Sequence, residues 1–158
     1  MADLDAVVRF ILAAEDPALS GAVTIDAGGR TRYGISEKAN PEAWTSGPPS
    51  IVQAVQIYKS KYLSPFHVQD LLSQDVANTV GDMLVNPGPE GGGILIQEAV
   101  DYIRPKSLEV DGKVGPATIS VLNSIPPYTL LPILRWKRVS HYFQNDPGLP
   151  GLVRRACR

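Results

Sequence analysis

The sequence has few of the residues that build metal sites and covalent cross-links. Among 158 residues there is one cysteine, Cys157, and there are two histidines, His67 and His141. A single cysteine excludes an intrachain disulfide and a thiolate zinc site, and two histidines are too few for a His/Cys metal cluster. We therefore expect no metal site of this kind.

Long apolar runs and a strong net charge are also missing. No run approaches the ~18 apolar residues that a membrane helix needs. The chain has 15 basic and 16 acidic residues with 44% hydrophobic residues, which is typical of a globular domain and not of a disordered chain. No nucleic-acid-binding motif or basic footprint is present. The first ten residues, MADLDAVVRF, lack a basic cluster, so we expect no secretory signal and synthesis in the cytoplasm.

The charges are nevertheless unevenly distributed. Residues 1–130 hold 9 basic and 15 acidic residues, whereas residues 131–158, here called the basic end, hold 6 basic residues and one acid. The net charges are therefore −6 and +5. This pattern predicts weak contact with an anionic polymer or membrane surface; a solvated helix face that balances an acidic body is the alternative.

Hydrophobic periodicity predicts a mostly α protein with one small β element. Apolar residues at helical spacing from Leu4 to Leu12 indicate a first helix that ends near Pro17. Residues 18–36 contain four glycines between short β-prone pieces, which is typical of a small hairpin sheet. Further helices are predicted over 51–63, 75–85, 94–103, 117–123 and 130–143, with 86–93 (NPGPEGGG) as a turn or linker and Pro132 in the first turn of the last helix.

Acid–base chemistry is possible where the first helix meets the hairpin. Glu15 lies in the last turn of that helix, and partial burial in a cleft would raise its pKa and let it donate a proton near neutral pH. Asp26 across the cleft could hold a water molecule or offset an oxocarbenium charge, and the Thr31 hydroxyl could orient the same water. Spacing alone leaves open that Glu15 is a solvated helix-end acid and Asp26 a turn residue.

A family resemblance favours the catalytic alternative. Glu15 followed by residues 26–35, DAGGRTRYGI, resembles the N-terminal signature of the family 108 glycoside hydrolases, which are phage and bacterial N-acetylmuramidases. Similar pieces follow in the family's order at 57–63, 80–88, 97–99, 110–118 and 151–155. The resemblance assigns residues 1–88 to a catalytic region and 89–158 to a helical, predicted peptidoglycan-binding region, and we expect the two regions to pack into one compact unit.

The resemblance implies a lysozyme-like fold of the mostly α (α+β) class, with a small N-terminal β-hairpin element and a helical C-terminal half. It implies hydrolysis of the β-1,4 bond between N-acetylmuramic acid and N-acetylglucosamine, with Glu15 as general acid and with Asp26 and Thr31 holding water. No cofactor is implied. The expected partner is bacterial peptidoglycan, and the expected protein is a monomeric phage endolysin, made in the host cytoplasm and acting on the cell wall after release.

Five further residues are candidates for substrate contact. Each also has a structural interpretation: Arg30 as a surface charge, Tyr33 as a core-filling ring, Asp82 as a buried hydrogen-bonded acid, Asn86 as a helix cap and Gln97 as a helix-surface amide.

The sequence also departs from the family pattern. Asp16-Pro17-Ala18 replaces the usual Gly-Gly-Tyr after Glu15, and leucines stand at Leu63 and Leu152 where the family has tryptophan. An Asp16 carboxylate close to Glu15 would raise the pKa of Glu15, whereas one that points to solvent would not.

Two rival functions remain at this level. The first is a non-catalytic peptidoglycan-binding protein, which the Asp16-Pro17 departure favours and the joint presence of Glu15, Asp26 and Thr31 disfavours. The second is a lytic transglycosylase, which uses one acid and no water-activating carboxylate, so that Asp26 disfavours it.

Overall fold

The fold is mostly helical, with one small antiparallel sheet, as the sequence predicts. The computed structural model describes residues 1–16, 18–26 and 29–145, except for the side chains of Asp26 and Asn145. In this part of the chain the elements are α1 (Leu4–Glu15), β1 (Thr24–Asp26), β2 (Gly29–Arg32), β3 (Ile35–Ser36), α2 (Ile51–Ile57), α3 (Gln74–Val85), α4 (Gly88–Ile103), α5 (Pro116–Asn123) and α6 (Pro127–Asn145). Short 3₁₀ turns at Pro41–Trp44, Ser64–Phe66 and Val68–Asp70 and a π turn at Tyr58–Leu63 complete the connections.

Helix α1 forms where the periodicity predicts it. The Asp3 side chain caps its N-terminus by accepting a hydrogen bond from the Asp5 backbone N–H at 2.8 Å. Its buried stripe consists of Val7, Val8, Ile11 and Leu12. The helix ends at Glu15, so the carboxyl of interest stands at the exit of a helix whose other face is fixed in the core.

The sheet that follows has the strand order β1-β2-β3, with both pairs antiparallel. Thr24 lies opposite Thr31 and Asp26 opposite Gly29, while Ile25 lies opposite Arg30. Because side chains alternate between the two faces of a strand, this register places Thr24 and Thr31 on one face and Ile25 and Arg30 on the other.

One hydrophobic core holds the helices together. Helix α3 lies at its centre and packs against α1, α4 and α6. The core extends from Val7 in α1 to Leu134 in α6, so residues on both sides of position 88 contribute to it. No helix in the described ranges combines the length and the apolar character that crossing a membrane requires.

The predicted linker over 86–93 is wrong. Helix α4 already begins at Gly88 and includes the three consecutive glycines. A β-carbon on Gly92 would overlap the Met83 carbonyl in α3, and one on Gly93 would overlap the carbonyl of Gly112. The glycines therefore permit close backbone approach, and this packing outweighs their poor helix propensity.

Two helix boundaries also differ from prediction. The helix expected over 51–63 is α2 followed by the π turn Tyr58–Leu63. Helix α6 begins at Pro127, whose fixed φ suits a first turn, and Pro132 therefore lies inside the helix. The absent N–H of Pro132 removes one hydrogen bond of the helix.

Candidate active site

A cleft of about 310 Å³ lies between the end of α1 and one face of the hairpin. Of the three predicted catalytic residues, Glu15 and Thr31 line it together. The full lining consists of Glu15, Asp16, Ser20, Ala22, Thr24, Thr31, Tyr33 and Gly34.

The Glu15 side chain is held against the turn between β2 and β3. Gly34 has φ +75°, and a β-carbon there would lie 2.8 Å from Cγ and 3.0 Å from Cδ of Glu15. The same β-carbon would overlap the hydroxyl of Tyr58, a fully buried side chain that donates a hydrogen bond to the Tyr33 carbonyl at 2.9 Å. Glu15 and Tyr58 thus both pack against Gly34, and no room is left for a side chain at position 34.

Asp16 fixes the chain as it leaves α1. Its carboxylate accepts hydrogen bonds from the backbone N–H groups of Gly21 at 2.8 Å and Ser20 at 3.1 Å, and from the Ser20 hydroxyl at 3.2 Å. The hydrogen bond from Gly21 is the main cause that lowers the pKa of Asp16. The residue that replaces the usual glycine after Glu15 therefore organises the entry to the hairpin.

Thr31 and Thr24 form the hairpin side of the cleft. The Thr31 hydroxyl oxygen is buried, and the described residues give it no hydrogen-bond partner. Asp26 lies two residues beyond Thr24 in β1, so strand alternation places position 26 on this same face. The side chain of Asp26 lies outside the described part, and its role stays a prediction.

Tyr33, one of the predicted substrate contacts, lines the cleft. It adopts a left-handed backbone conformation with φ +52°, and its half-buried ring packs on Gly21. The Arg32 guanidinium lies 5.1 Å from the ring centroid, and its Nε donates to the Gly21 carbonyl at 2.7 Å. Arg32 therefore supports the ring from the hairpin.

Comparison with known protein families identifies the family of this chain. The family model described as Glycosyl hydrolase 108 matches residues 10–88, a range that contains every residue of the cleft lining. The chain belongs to this family. It is therefore a glycoside hydrolase, and peptidoglycan is the substrate class of the family.

The overall fold has a solved counterpart. The structure of SagA from Brucella abortus superposes with a TM-score of 0.71 at 19% sequence identity, covering 98% of this chain and 92% of that chain. At this identity the likeness is one of fold. A search of curated proteins found no sequence relative.

Arg30 of this family 108 hydrolase does not line the cleft. It lies on the opposite face of the hairpin and forms two hydrogen bonds of 2.8 and 2.7 Å with the Glu37 carboxylate. Its guanidinium also lies 5.0 Å from the centroid of the buried Trp44 ring. Glu37 raises the pKa of Arg30, and Arg30 in turn lowers the pKa of Glu37. In place of the predicted substrate contact, Arg30 joins β2 to the Pro41–Trp44 turn.

Asp82 and Gln97 also have partners inside the protein. Asp82 is fully buried and pairs with Arg138 of α6 at 2.8 Å. The buried Gln97 accepts hydrogen bonds from the backbone N–H groups of Asp111 and Gly112 at 3.0 and 2.7 Å. Its amide donates to the Asp111 carboxylate at 2.9 Å, the main cause that lowers the pKa of that carboxyl. Neither residue lines the cleft, so the structure gives both residues structural roles in place of the predicted substrate contacts.

Asn86 lies at the C-terminal end of α3. Its backbone N–H donates to the Asp82 carbonyl at 3.0 Å, and the residue is half-buried. It is not part of the cleft lining. The helix-cap interpretation therefore describes its place in the fold.

Part of the basic end is neutralised internally. Lys137 donates to the Glu98 carboxylate at 3.0 Å, and Arg138 is the buried partner of Asp82. Arg154, Arg155 and Arg158 lie outside the described residues, as does Cys157.

Sequence reasoning missed Ser20 and Thr24 in the cleft lining, and Tyr58 behind Glu15. The alternation that places Asp26 on one face of β1 was a signal that could have found Thr24. Tyr58 reaches the site only through tertiary packing of the π turn, which leaves no local signal. Within the described residues, no three His, Cys, Asp or Glu side chains are grouped so that they could hold a metal ion.

Proposed function

We propose that this family 108 enzyme hydrolyses the β-1,4 bond between N-acetylmuramic acid and N-acetylglucosamine, with Glu15 as the general acid. The observation that carries the proposal is the position of Glu15 at the end of α1, where it lines the cleft together with the hairpin residues Thr24 and Thr31. A positioned carboxylic acid can protonate the glycosidic oxygen as the bond to the sugar carbon breaks.

Thr31 and Asp26 hold the attacking water in this mechanism. Thr31 lines the cleft, and the register puts position 26 on the same face of the hairpin. An ionised carboxylate there would remove a proton from the water and offset the oxocarbenium charge. Asp26→Asn should therefore bind sacculi normally and turn over slowly. Binding and lysis both near wild-type levels would make Asp26 a turn residue.

Product analysis tests the reaction itself. Purified sacculi are digested, the new reducing ends are reduced with borohydride, and the fragments are identified by mass spectrometry. The proposal predicts N-acetylmuramic acid at the reduced end of each fragment. Products that end in an anhydro sugar, which borohydride does not reduce and which is lighter than a reduced end by one water and two hydrogens, would identify a lytic transglycosylase. N-acetylglucosamine at the reduced end would place cleavage at the other glycosidic bond.

We also propose that the enzyme serves as a phage or prophage lysin, monomeric, made in the cytoplasm and active on the wall after release. The resemblance to phage muramidases supports this role. Expression in a bacterial host should leave cells intact until the membrane is permeabilised, after which they lyse. Lysis on expression alone would contradict a dependence on release.

A further inference from the structure

A second groove, of about 400 Å³, runs between α4 and α6. One face of each helix forms it, and it shares no residue with the Glu15 cleft. The groove is lined by Gly91, Ile94, Leu95 and Glu98 of α4 and by Trp136, Lys137, Ser140, His141 and Gln144 of α6.

Two exposed aromatic side chains stand at one end of this groove. Trp136 is 48% exposed, and Tyr102, one turn beyond Glu98 on α4, is 63% exposed. Their ring centroids are 5.4 Å apart, with 55° between the ring planes. The Lys137 ammonium lies 5.3 Å from the Trp136 centroid and holds the Glu98 carboxylate at 3.0 Å. The two rings thus contact each other while much of their area stays in water, so they are available to a ligand that stacks on aromatic surfaces.

The rest of the groove supplies polar groups around an apolar floor. Ile94 and Leu95 are its aliphatic residues, and Ser140, His141 and Gln144 follow Trp136 along α6. A pyranose ring has the complementary chemistry, because one face presents C–H groups that stack on an indole and the rim presents hydroxyl and acetamido groups. Pockets with an aromatic surface and a few polar groups are the usual form of a small-ligand site.

We propose that this α4–α6 groove binds a stretch of the peptidoglycan glycan strand, as a site separate from the catalytic cleft. The inference rests on the proposed function, since it takes the glycan as substrate, and it locates a binding surface on α4 and α6. Two contacts on one polymer act at a high effective concentration, so the groove would retain the enzyme on the insoluble wall between cleavage events.

The test uses the full chain with Glu15→Gln, which removes the predicted turnover. Affinity for purified sacculi is measured by sedimentation for this protein and for three further variants made in it. Trp136→Ala should weaken binding by about tenfold, as for an aromatic residue that dominates an interface. Ser140→Leu, which fills the groove and leaves the rings in place, should weaken it similarly. Tyr128→Ala is the matched control, because Tyr128 is an 81% exposed aromatic of the same helix that does not line the groove.

Tryptophan fluorescence gives a second, direct readout. The chain has two tryptophans, and Trp44 is only 5% exposed. A soluble β-1,4-linked oligomer of N-acetylglucosamine should shift the emission and protect Trp136 from acrylamide quenching, and Ser140→Leu should abolish both effects. An unchanged spectrum at saturating oligomer would overturn the proposal.

The sedimentation results test the same proposal. Wild-type affinity for sacculi in both groove variants, or an equal loss of affinity in Tyr128→Ala, would also overturn the proposal. Hydrolysis of sacculi by Glu15→Gln would contradict the proposed function alone, since the binding comparison does not depend on which residue is the acid.

Discussion

At the scale of single residues, the position of Glu15 depends on a residue with no side chain. Gly34 has φ +75°, which favours glycine, and the space where its β-carbon would lie is occupied by Glu15 and the Tyr58 hydroxyl. Any larger residue at position 34 must displace one of them. The geometry of the proposed general acid is therefore sensitive to a change that adds no charge and removes no functional group.

Gly34→Ala should lower the rate of glycan hydrolysis by roughly 10²-fold, the usual effect of displacing a catalytic group by about 1 Å. Gly88→Ala is the matched control, because Gly88 has a similar φ of +82° and open space around the β-carbon position. Both variants place alanine at a similar positive φ, so a comparison of their kcat values at equal folded fraction separates the contact with Glu15 from the effect of backbone strain. Equal activity losses in the two variants would contradict this account.

The lowered pKa of Asp16 predicts how the stability of the folded protein depends on pH. Its pKa is lowered in the folded state, so the folded state favours the ionised form. This contribution to the free energy of unfolding is fully present above the ordinary pKa of about 3.9 and is lost as the pH falls through the lowered value. Asp16→Asn should therefore be less stable than wild type at pH 7, and the difference should shrink at about pH 3 and below. Thermal unfolding of wild type and Asp16→Asn across this pH range measures the difference in stability. Glu42→Gln, which changes an exposed carboxyl, is the control. A stability difference that does not depend on pH would mean that the charge of Asp16 is not the cause.

At the scale of secondary-structure elements, the buried Asp82–Arg138 ion pair joins α3 to α6. Both side chains are essentially inaccessible to solvent, at 0% and 1% exposure. Removing either partner leaves a buried charge uncompensated, which costs far more than removing both.

Asp82→Leu and Arg138→Leu should each lower the free energy of unfolding by about 3–5 kcal/mol, and the double variant should be more stable than the sum of the two single losses implies. Urea unfolding of the four proteins completes the cycle. Additive effects would show that the two side chains do not interact.

The elements also show what the sequence can and cannot predict. Helix α1 and the hairpin follow from apolar spacing and glycine placement, and their junction brings Glu15 and Thr31 to one cleft as predicted. The start of α4 at Gly88 could not be predicted, because the glycines there are selected by contact with α3 and with the loop at Gly112. The sequence left open whether Asp82 is a buried, hydrogen-bonded acid or a substrate contact, because its partner Arg138 lies 56 positions away in the chain.

At the scale of the whole molecule, the charge asymmetry is smaller than the sequence count suggests. Lys137 and Arg138, two of the six cations of the basic end, are paired with acids of the preceding region. The remaining asymmetry rests mainly on Arg154, Arg155 and Arg158.

Replacing these three arginines with glutamine should slow lysis of intact cells at low salt and leave cleavage of a short soluble glycan unchanged. Exposed charges attract an anionic wall or membrane surface only within about 8 Å at physiological ionic strength, so the difference should vanish at about 0.3 M salt. Turbidity clearing across a salt series provides the measurement. An equal loss on cells and on the soluble glycan would assign the arginines a structural role, and no change at any salt would make them a solvated surface.

The central claim is that Glu15 supplies the proton for bond cleavage. The most direct test is the initial rate at which reducing ends appear when equal amounts of folded wild type, Glu15→Gln and Glu42→Gln act on purified sacculi. General acid catalysis contributes about 10²–10⁴-fold to a rate, so the rate of Glu15→Gln should be at least ~10²-fold lower than that of wild type. Glu42 is an exposed carboxyl outside the cleft, so the rate of Glu42→Gln should match wild type. Retention of about a tenth or more of the wild-type rate by folded Glu15→Gln would contradict the account.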